Sequence, residues 1–341
     1  MSSLGQFTTR RILRALLLTA SLLLPPSVFA QTADRDLIET VAAGRFKSLT
    51  EPPCSYCSTQ HRKGLIREDD RVIAWLRAAH NGGAVPLRHF LSGPRVVNDT
   101  YGLFFYDPDG GYVAAYRKDY GYEMHGWRNG VMVVRGRDGT LWSALTGIAF
   151  DGPKKGKKLK RIPSLVTDWG YWVMLHPEST AYDLFDGKTY ATTPLTAQVS
   201  DEAQRTMGEV DPRLGPLANV LGVELVEATR AYPLDGLADR DCILDDVGDR
   251  RIAVLWYGPT RTAVAFDCQL GDQTLTLYAD DISPESAPFK DRETGTRWTP
   301  AGRAVDGPLR GKELNWVDGI QCRWYAWSAE YPETLLHDAS N

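Results

Sequence analysis

The stretch Trp142–Pro153, WSALTGIAFDGP, recurs near the C-terminus as Trp298–Pro308, WTPAGRAVDGP. Both copies follow a Gly-Thr pair, and both are followed by a Gly and a Leu at matching steps. Asp151 and Asp306 occupy the same place before the closing Gly-Pro. The spacing between the copies is far too long for a solenoid repeat, so it predicts two related, domain-sized units.

Fainter matches upstream extend the two units. Ala84–Leu87, AVPL, matches Ala231–Leu234, AYPL, and Val97–Asp99, VND, matches Leu244–Asp246, LDD. Both pairs have the same offset. This indicates a continuous internal alignment.

The N-terminus has the features of a secretory signal peptide. Three arginines precede the apolar run Leu16–Leu24, which leads to the small-residue site Val28–Ala30. This order predicts a signal peptide over 1–30 and a mature chain that is periplasmic or secreted. Arg10-Arg11 also suits a twin-arginine signal, but ordinary export needs only positive charge and is favoured. No later run reaches about 18 apolar residues, so we expect no transmembrane segment after cleavage.

Composition narrows the class of protein. The formal net charge is −4, which argues against a nucleic-acid partner. The one basic cluster, Lys154–Arg161, has two interpretations, an anion-binding site and a solvated hairpin loop. Because 43% of the residues are hydrophobic and ten are tryptophans, most of the chain should fold around real cores.

Short segments bounded by Asp, Gly or Pro dominate the region after residue 86. Their β-branched and aromatic residues predict strands. The clearest are Gly102–Tyr106, Tyr112–Tyr116, Gly130–Arg135 and Leu141–Ala144. Asp107–Gly111, DPDGG, predicts a hairpin turn between the first two.

Three segments predict short helices. Asp69–Ala79 has apolar residues near helical spacing. Thr167–Leu175 has a candidate cap in Thr167 or Asp168, and its counterpart in the second unit is Asp318–Ala329. Large aromatic side chains dominate core packing, so we expect four tryptophans to be buried: Trp142, Trp169, Trp298 and Trp324.

Together these patterns predict a β-rich α+β protein of two pseudo-symmetric antiparallel sheet units, each with a short Trp-bearing helix. The predicted division is a signal peptide over 1–30, an extended N-terminal arm over 31–69, a first copy over 70–200 and a second copy over 201–341.

Several of these motifs, in this order, resemble the domain of unknown function 3179 family of exported or membrane-associated bacterial and archaeal proteins. The resemblance runs over about 84–336 and includes VVNDT at 96–100 and VTDWGYWVMLHPES at 166–179. It also includes the two Trp–Gly-Pro stretches quoted above. The family implies no established activity.

One departure from the family concerns chemistry. Family members commonly carry Tyr-Cys-Pro-Leu-Cys-Gly after the VNDT strand, a thiol pair that implies redox or metal work. Here the stretch is Tyr106–Gly110, YDPDG, and the second copy reads Tyr257–Arg261, YGPTR. Asp107 and Asp109 have two interpretations, a hard-cation site and a good turn. This position gives candidate ligand-binding residues, to which stacking tryptophans are added: Tyr106, Asp107, Asp109, Trp142 and Trp169.

Thiols occur elsewhere in the chain. Cys54 and Cys57 form a CxxC with His61 nearby, which suits a redox pair, half of a metal site or a local disulfide. Haem attachment is excluded because Ser58 stands where His is required. Two of the remaining cysteines are expected to bridge within the second copy, leaving one odd thiol: Cys242, Cys268 and Cys322.

A second candidate constellation is His125, Asp168 and His176, because a His/Asp pair suits general acid–base catalysis. The second copy has Tyr331 in place of His176. No nucleophile elbow, phosphate loop or His-Glu-x-x-His motif accompanies these residues.

The favoured function is therefore an exported binding or accessory module whose partner is a small molecule or a periplasmic protein, bound at the cleft between the halves. The alternative is a thiol redox or metal-dependent enzyme that uses Cys54 and Cys57. The sequence identifies no cofactor.

Overall fold

Short apolar segments separated by turns form strands along most of the chain. The computed structural model describes residues 37–56, 66–76, 82–90, 93–182, 198–226 and 228–338. Strands hold 45% of the described residues and helices 10%, so the predicted β-rich α+β class is confirmed. By their contacts, the described residues form one unit. The predicted signal peptide lies outside the described residues.

Among the described residues, fourteen strands precede residue 200: β1 (Ile38–Thr40), β2 (Leu49–Thr50), β3 (Cys54–Tyr56), β4 (Arg71–Leu76), β5 (Gly82–Pro86), β6 (Arg95–Asp99), β7 (Gly102–Asp107), β8 (Tyr112–Tyr116), β9 (Glu123–Arg128), β10 (Val131–Arg135), β11 (Leu141–Ser143), β12 (Ala149–Asp151), β13 (Leu165–Asp168) and β14 (Thr180–Tyr182). Fourteen follow it: β15 (Asn219–Glu224), β16 (Thr229–Pro233), β17 (Arg240–Val247), β18 (Arg250–Tyr257), β19 (Thr262–Asp267), β20 (Gln269–Leu270), β21 (Gln273–Thr274), β22 (Leu277–Ala279), β23 (Phe289–Asp291), β24 (Arg297–Trp298), β25 (Ala304–Asp306), β26 (Asn315–Val317), β27 (Gly319–Arg323) and β28 (Leu335–Leu336). The helices are α1 (Trp169–Leu175), α2 (Asp201–Thr206) and α3 (Trp324–Glu330), and 3-10 turns span Leu87–Phe90 and Gly258–Thr260.

Two sheets have the same strand order. In the first half the order is β13-β4-β5-β14, with β3 beyond it, and in the second half it is β27-β15-β16-β28. The first two pairings are antiparallel and the third is parallel in both sheets. These parallel pairs depart from the purely antiparallel sheets that the sequence predicted.

A meander of three antiparallel strands also occurs twice. It consists of β6, β7 and β8 in the first half and of β17, β18 and β19 in the second. Asp107 pairs with Tyr112 at the first hairpin end, and Tyr257 pairs with Thr262 at the second. The two hairpin loops therefore have equal length. Their register equates Asp107 with Tyr257, one residue away from the sequence match of Tyr106 with Tyr257.

The quoted Trp–Gly-Pro stretches lie in a third pair of sheets, β9-β10-β11-β12 and β22-β23-β24-β25. The register shifts between Leu141 and Trp142 in one and between Arg297 and Trp298 in the other. Both tryptophans stand at the same irregularity of a short hairpin.

The N-terminal arm supplies edge strands to three sheets. Strand β1 pairs with β9, β2 pairs with β6 and β3 pairs with β14. Backbone pairing at three separate edges fixes the described part of the arm against the rest of the chain.

The helix predicted over Asp69–Ala79 is wrong. Arg71–Leu76 instead form β4, which pairs with β5 on one side and β13 on the other. A short continuous apolar run fits a buried strand as well as a buried helix, and neighbours on both sides decide in favour of the strand.

The two Trp-bearing helices exist but begin later than predicted. Helix α1 begins at Trp169, because Thr167 and Asp168 end β13, and α3 begins at Trp324, after β27. Asp168 stands at the N-cap without a side-chain capping hydrogen bond. Among the described helices, none is both long and apolar enough to cross a membrane.

The cores combine residues from both halves. Trp142 packs in one cluster with Trp324 of α3, and Trp298 packs in another with Trp169 of α1. All four side chains are buried, as predicted. Each Trp–Gly-Pro sheet therefore packs against the helix of the opposite half.

The expected disulfide in the second half is not formed, because Cys242, Cys268 and Cys322 are all free thiols. Cys242 is on β17 and Cys268 follows β19, with β18 between them. Two strand spacings amount to about 9–10 Å, whereas a disulfide needs Cα atoms within about 7 Å. Cys322 lies in the other core.

Candidate functional site

Strands β13 and β27 lead directly into helices α1 and α3. The end of each of these strands contacts the hairpin turn of the opposite half. At the N-cap of α3, the backbone N–H of Arg323 donates to the carbonyl of Gly110 at 2.8 Å, and its Nη1 donates to the carbonyl of Asp109 at 2.9 Å. At the N-cap of α1, Asp168 Oδ1 accepts from Arg71 Nη1 at 2.9 Å and lies 3.6 Å from Nη2 of Arg261.

These two contacts are related but have opposite charge. One half presents a base, Arg323, to an acidic turn, and the other presents an acid, Asp168, to a basic turn. The last turn residue has positive φ in both hairpins, +65° at Gly111 and +46° at Arg261. Arg261 thus holds a backbone conformation that non-glycine residues seldom adopt, and such positions cluster at functional sites.

A cleft of about 450 Å³ lies between these turns. Residues from corresponding strand positions line it. Arg71 begins β4 and pairs with Asp168, and in the other half Asn219 begins β15 and pairs with Arg323. This volume is in the range of small-molecule sites.

Charges of both signs line the cleft. Arg71 and Arg261 supply guanidinium groups, and Asp235 and Asp239 supply carboxylates from the segment after β16. The side chain of Arg261 is 63% exposed, whereas Arg71 is held by Asp168 and by the carbonyls of Thr260 and Arg261. Burial lowers the pKa of Arg71 to about 10, and Asp168 opposes that shift, so Arg71 stays charged at neutral pH.

Tyr106 lines the same cleft. Its side chain is buried, and its hydroxyl has no hydrogen-bond partner within the described part of the chain. Burial, then the charge of Asp107, raises the pKa of Tyr106, so the group remains a neutral donor. Burial likewise raises the pKa of Cys322, another lining residue, which argues against a reactive thiolate there.

The carboxylates of Asp107 and Asp109 accept hydrogen bonds from other groups of the chain. Asp107 Oδ1 accepts the backbone N–H groups of Asp109 and Gly110, and its Oδ2 accepts that of Met132 at 3.1 Å. Asp109 accepts from both the backbone N–H and the hydroxyl of Ser200, at 2.7 Å each. These bonds favour the turn interpretation over a cation site. The described residues contain no group of three or more His, Cys, Asp or Glu suited to a metal ion.

The five candidate ligand residues do not meet at one place. Tyr106 faces the cleft, the two aspartates stabilise the turn, and Trp142 and Trp169 lie in different cores. The structure thus retains only Tyr106 of this set at the cleft.

The His/Asp pair is not formed. Asp168 and His176 occupy the two ends of α1, about 12 Å apart at 1.5 Å per residue. Asp168 bonds to Arg71, and the His176 ring lies 4.2 Å from that of Trp172. His125 is on β9 in another sheet, where burial lowers its pKa.

Cys54 lies on edge strand β3, is exposed, and its sulfur donates to Thr180 Oγ1 at 3.5 Å. Cys57 and His61 lie outside the described residues. The Asp107–Gly111 turn makes hydrogen bonds with Arg323, Ser200 and Met132.

Arg71, Arg261 and the two carboxylates at the cleft were not predicted from the sequence. Arg71, Asp235 and Asp239 belong to no motif, and the cleft residues are brought together from segments far apart in the chain. One signal was present, an arginine at the end of YGPTR, where the first half has glycine.

The fold and cleft define a β-rich protein with two similarly built halves around a polar, ligand-sized cleft. A family profile matches residues 124–334, more than half of the chain, and the chain belongs to that family, described as protein of unknown function (DUF3179). The matched range begins after the Asp107–Gly111 turn. Comparison with curated proteins and with solved structures finds no match.

Proposed function

We propose that the chain is an exported binding protein for a small zwitterionic molecule, such as an amino acid or a short peptide. The observation that carries this proposal is the cleft of about 450 Å³, whose lining includes two arginines and two aspartates: Arg71, Arg261, Asp235 and Asp239. A ligand with a carboxylate and an ammonium group would pair with both signs, and paired charges are favoured where water is partly excluded.

The proposed export rests on the signal-peptide pattern at 1–30, and we place the protein in the periplasm or outside the cell. The proposed duplication of 70–200 and 201–341 is supported by the repeated strand orders and by the charge-inverted contacts of Asp168 and Arg323. A cleft on the boundary of two related halves would be lined by residues at corresponding positions of each half.

A thermal-shift screen tests the binding function. Amino acids and dipeptides are compared with matched molecules that lack one charge, for example alanine with propionate and ethylamine. A ligand at a hundredfold excess over its Kd should stabilise the protein by about 2.7 kcal/mol, which is a rise of several degrees in Tm. If no zwitterion raises the Tm more than its singly charged analogues do, the proposed ligand class is wrong.

The exposed thiol of Cys54 favours one second candidate, thiol redox chemistry with Cys57. Mass spectrometry of alkylated protein before and after mild reduction tests it. A pair that interconverts between dithiol and disulfide supports the redox role, and a pair that never oxidises excludes it.

A further inference from the structure

A second cavity, of about 560 Å³, lies beside α1. The indoles of Trp75, Trp172 and Trp316 line it, together with apolar side chains of β19. Of the lining residues that the structure describes, Glu313 alone carries a formal charge.

The corresponding place in the other half can be identified from strand register. Phe266 on β19 is at the same strand position as Tyr116 on β8. Phe266 pairs with Trp316, and Tyr116 pairs with Arg161. Leu76, at the end of β4, corresponds to Glu224 at the end of β15. The cavity side chains Trp316 and Leu76 are therefore replaced by an arginine and a glutamate in the other half.

In that other half a polar network fills the space. The Arg161 guanidinium is 3.1 Å from Asp318 Oδ1, bonds to the Leu145 carbonyl and lies over the Tyr116 ring. Glu224 accepts from the Tyr331 hydroxyl at 2.6 Å and pairs with Lys158. Arg161 is 9% exposed, so the network closes a space that stays open beside α1.

The two halves also differ in whether the indole N–H of a helix tryptophan has an acceptor. Trp327 of α3 donates to Thr334 Oγ1 at 3.0 Å. Its counterpart Trp172 is fully buried and lines the cavity, and no residue of the described chain accepts from its Nε1. The other half therefore satisfies its helix tryptophan within the chain, whereas the half beside the cavity leaves this buried donor without an acceptor among the described residues.

We infer that this cavity is a second binding site, independent of the polar cleft, for an uncharged or cationic molecule with a planar ring. Indole faces favour planar and cationic groups. Glu313 opposes anions, and the described part of the lining contains no arginine or lysine to attract them.

Two probes with one ring system test the inference. N-phenyl-1-naphthylamine is neutral, and 8-anilinonaphthalene-1-sulfonate adds an anionic group to the same rings. We expect the neutral probe to bind with a Kd at least about tenfold lower and to quench tryptophan fluorescence. Equal binding of the two probes, or no binding of the neutral one, overturns the inference.

Variants locate the binding. Ala301→Phe fills the cavity and should raise the Kd of the neutral probe at least about tenfold, whereas Ala43→Phe at an exposed position should leave it unchanged. Leu76→Glu, which introduces the residue of the closed half, is the alternative if Ala301→Phe does not fold. Unchanged affinity in a folded cavity variant overturns the inference. Arg261→Gln should not affect this probe, which separates the site from the polar cleft.

Discussion

Asp107 has no exposed surface, and its carboxylate accepts three backbone N–H groups. Burial, then the charge of Asp109, raises its pKa to about 7, although the N–H groups of Gly110 and Met132 oppose the shift. The folded state therefore binds a proton more tightly than the unfolded chain does. This contribution to stability is fully present below the unfolded pKa, near 3.8, and is lost as the pH rises through about 7.

The raised pKa of Asp107 predicts that stability decreases as the pH rises. The free energy of unfolding of the wild-type protein should fall between pH 5 and pH 8, and the fall should be smaller in Asp109→Asn. Asparagine keeps its contacts with Ser200 but removes the neighbouring charge. Urea titrations across this pH range measure the effect, with Asp249→Asn at an exposed position as the control. Parallel profiles for wild type and Asp109→Asn would contradict it.

Trp142 shows what a single core side chain contributes. It is buried and packs edge-on to Tyr122, with ring centroids 6.1 Å apart. We predict that Trp142→Ala lowers the free energy of unfolding by about 3–5 kcal/mol through lost burial and a cavity. Leu217→Ala, at a residue that is 42% exposed, should cost far less. Unchanged thermal stability of Trp142→Ala would instead favour a role in ligand stacking.

At the level of elements, the start of α1 depends on charge pairing rather than on capping. Asp168 makes no side-chain cap bond but pairs with Arg71, and both side chains are 15% exposed. We predict that Asp168→Asn costs about 1.5–3 kcal/mol, because the partly buried Arg71 loses its counterion.

A surface pair provides the matched control for that variant. Arg297 and Asp306 are 2.9 Å apart, but Asp306 is 64% exposed. Asp306→Asn should therefore cost less than about 1 kcal/mol. Chemical denaturation of both variants measures the difference, and equal costs would mean that the Asp168 pair has no special part in positioning α1.

Some elements could be predicted from sequence because their causes are local. The Asp107–Gly111 turn follows from Asp, Pro and Gly chemistry within five residues. The strand Arg71–Leu76 could not be predicted, because its partners lie ten and nearly a hundred residues away. The tryptophans were predictable as buried, but not the exchange by which each packs with the helix of the other half.

At the level of the whole molecule, the site depends on how the two halves face each other. Arg71 of the first half bonds to Asp168 and to the carbonyl of Arg261, which lies in the hairpin turn of the second half. Asp168 also lies close to the Arg261 guanidinium. Arg71 is in no motif and Arg261 only ends the YGPTR turn, so the sequence indicated a cleft between halves but not the charges within it. A change in either turn should therefore alter the cleft more than the cores.

We propose above that the cleft binds a zwitterion through its charged residues. Isothermal titration of the most stabilising amino acid or dipeptide tests it directly, with Arg261→Gln as the site variant and the exposed Arg310→Gln as its control. We predict that Arg261→Gln weakens binding at least about tenfold, that Arg310→Gln leaves the Kd unchanged, and that added salt weakens binding to the wild type. Equal affinities for wild type, Arg261→Gln and Arg310→Gln would contradict the account.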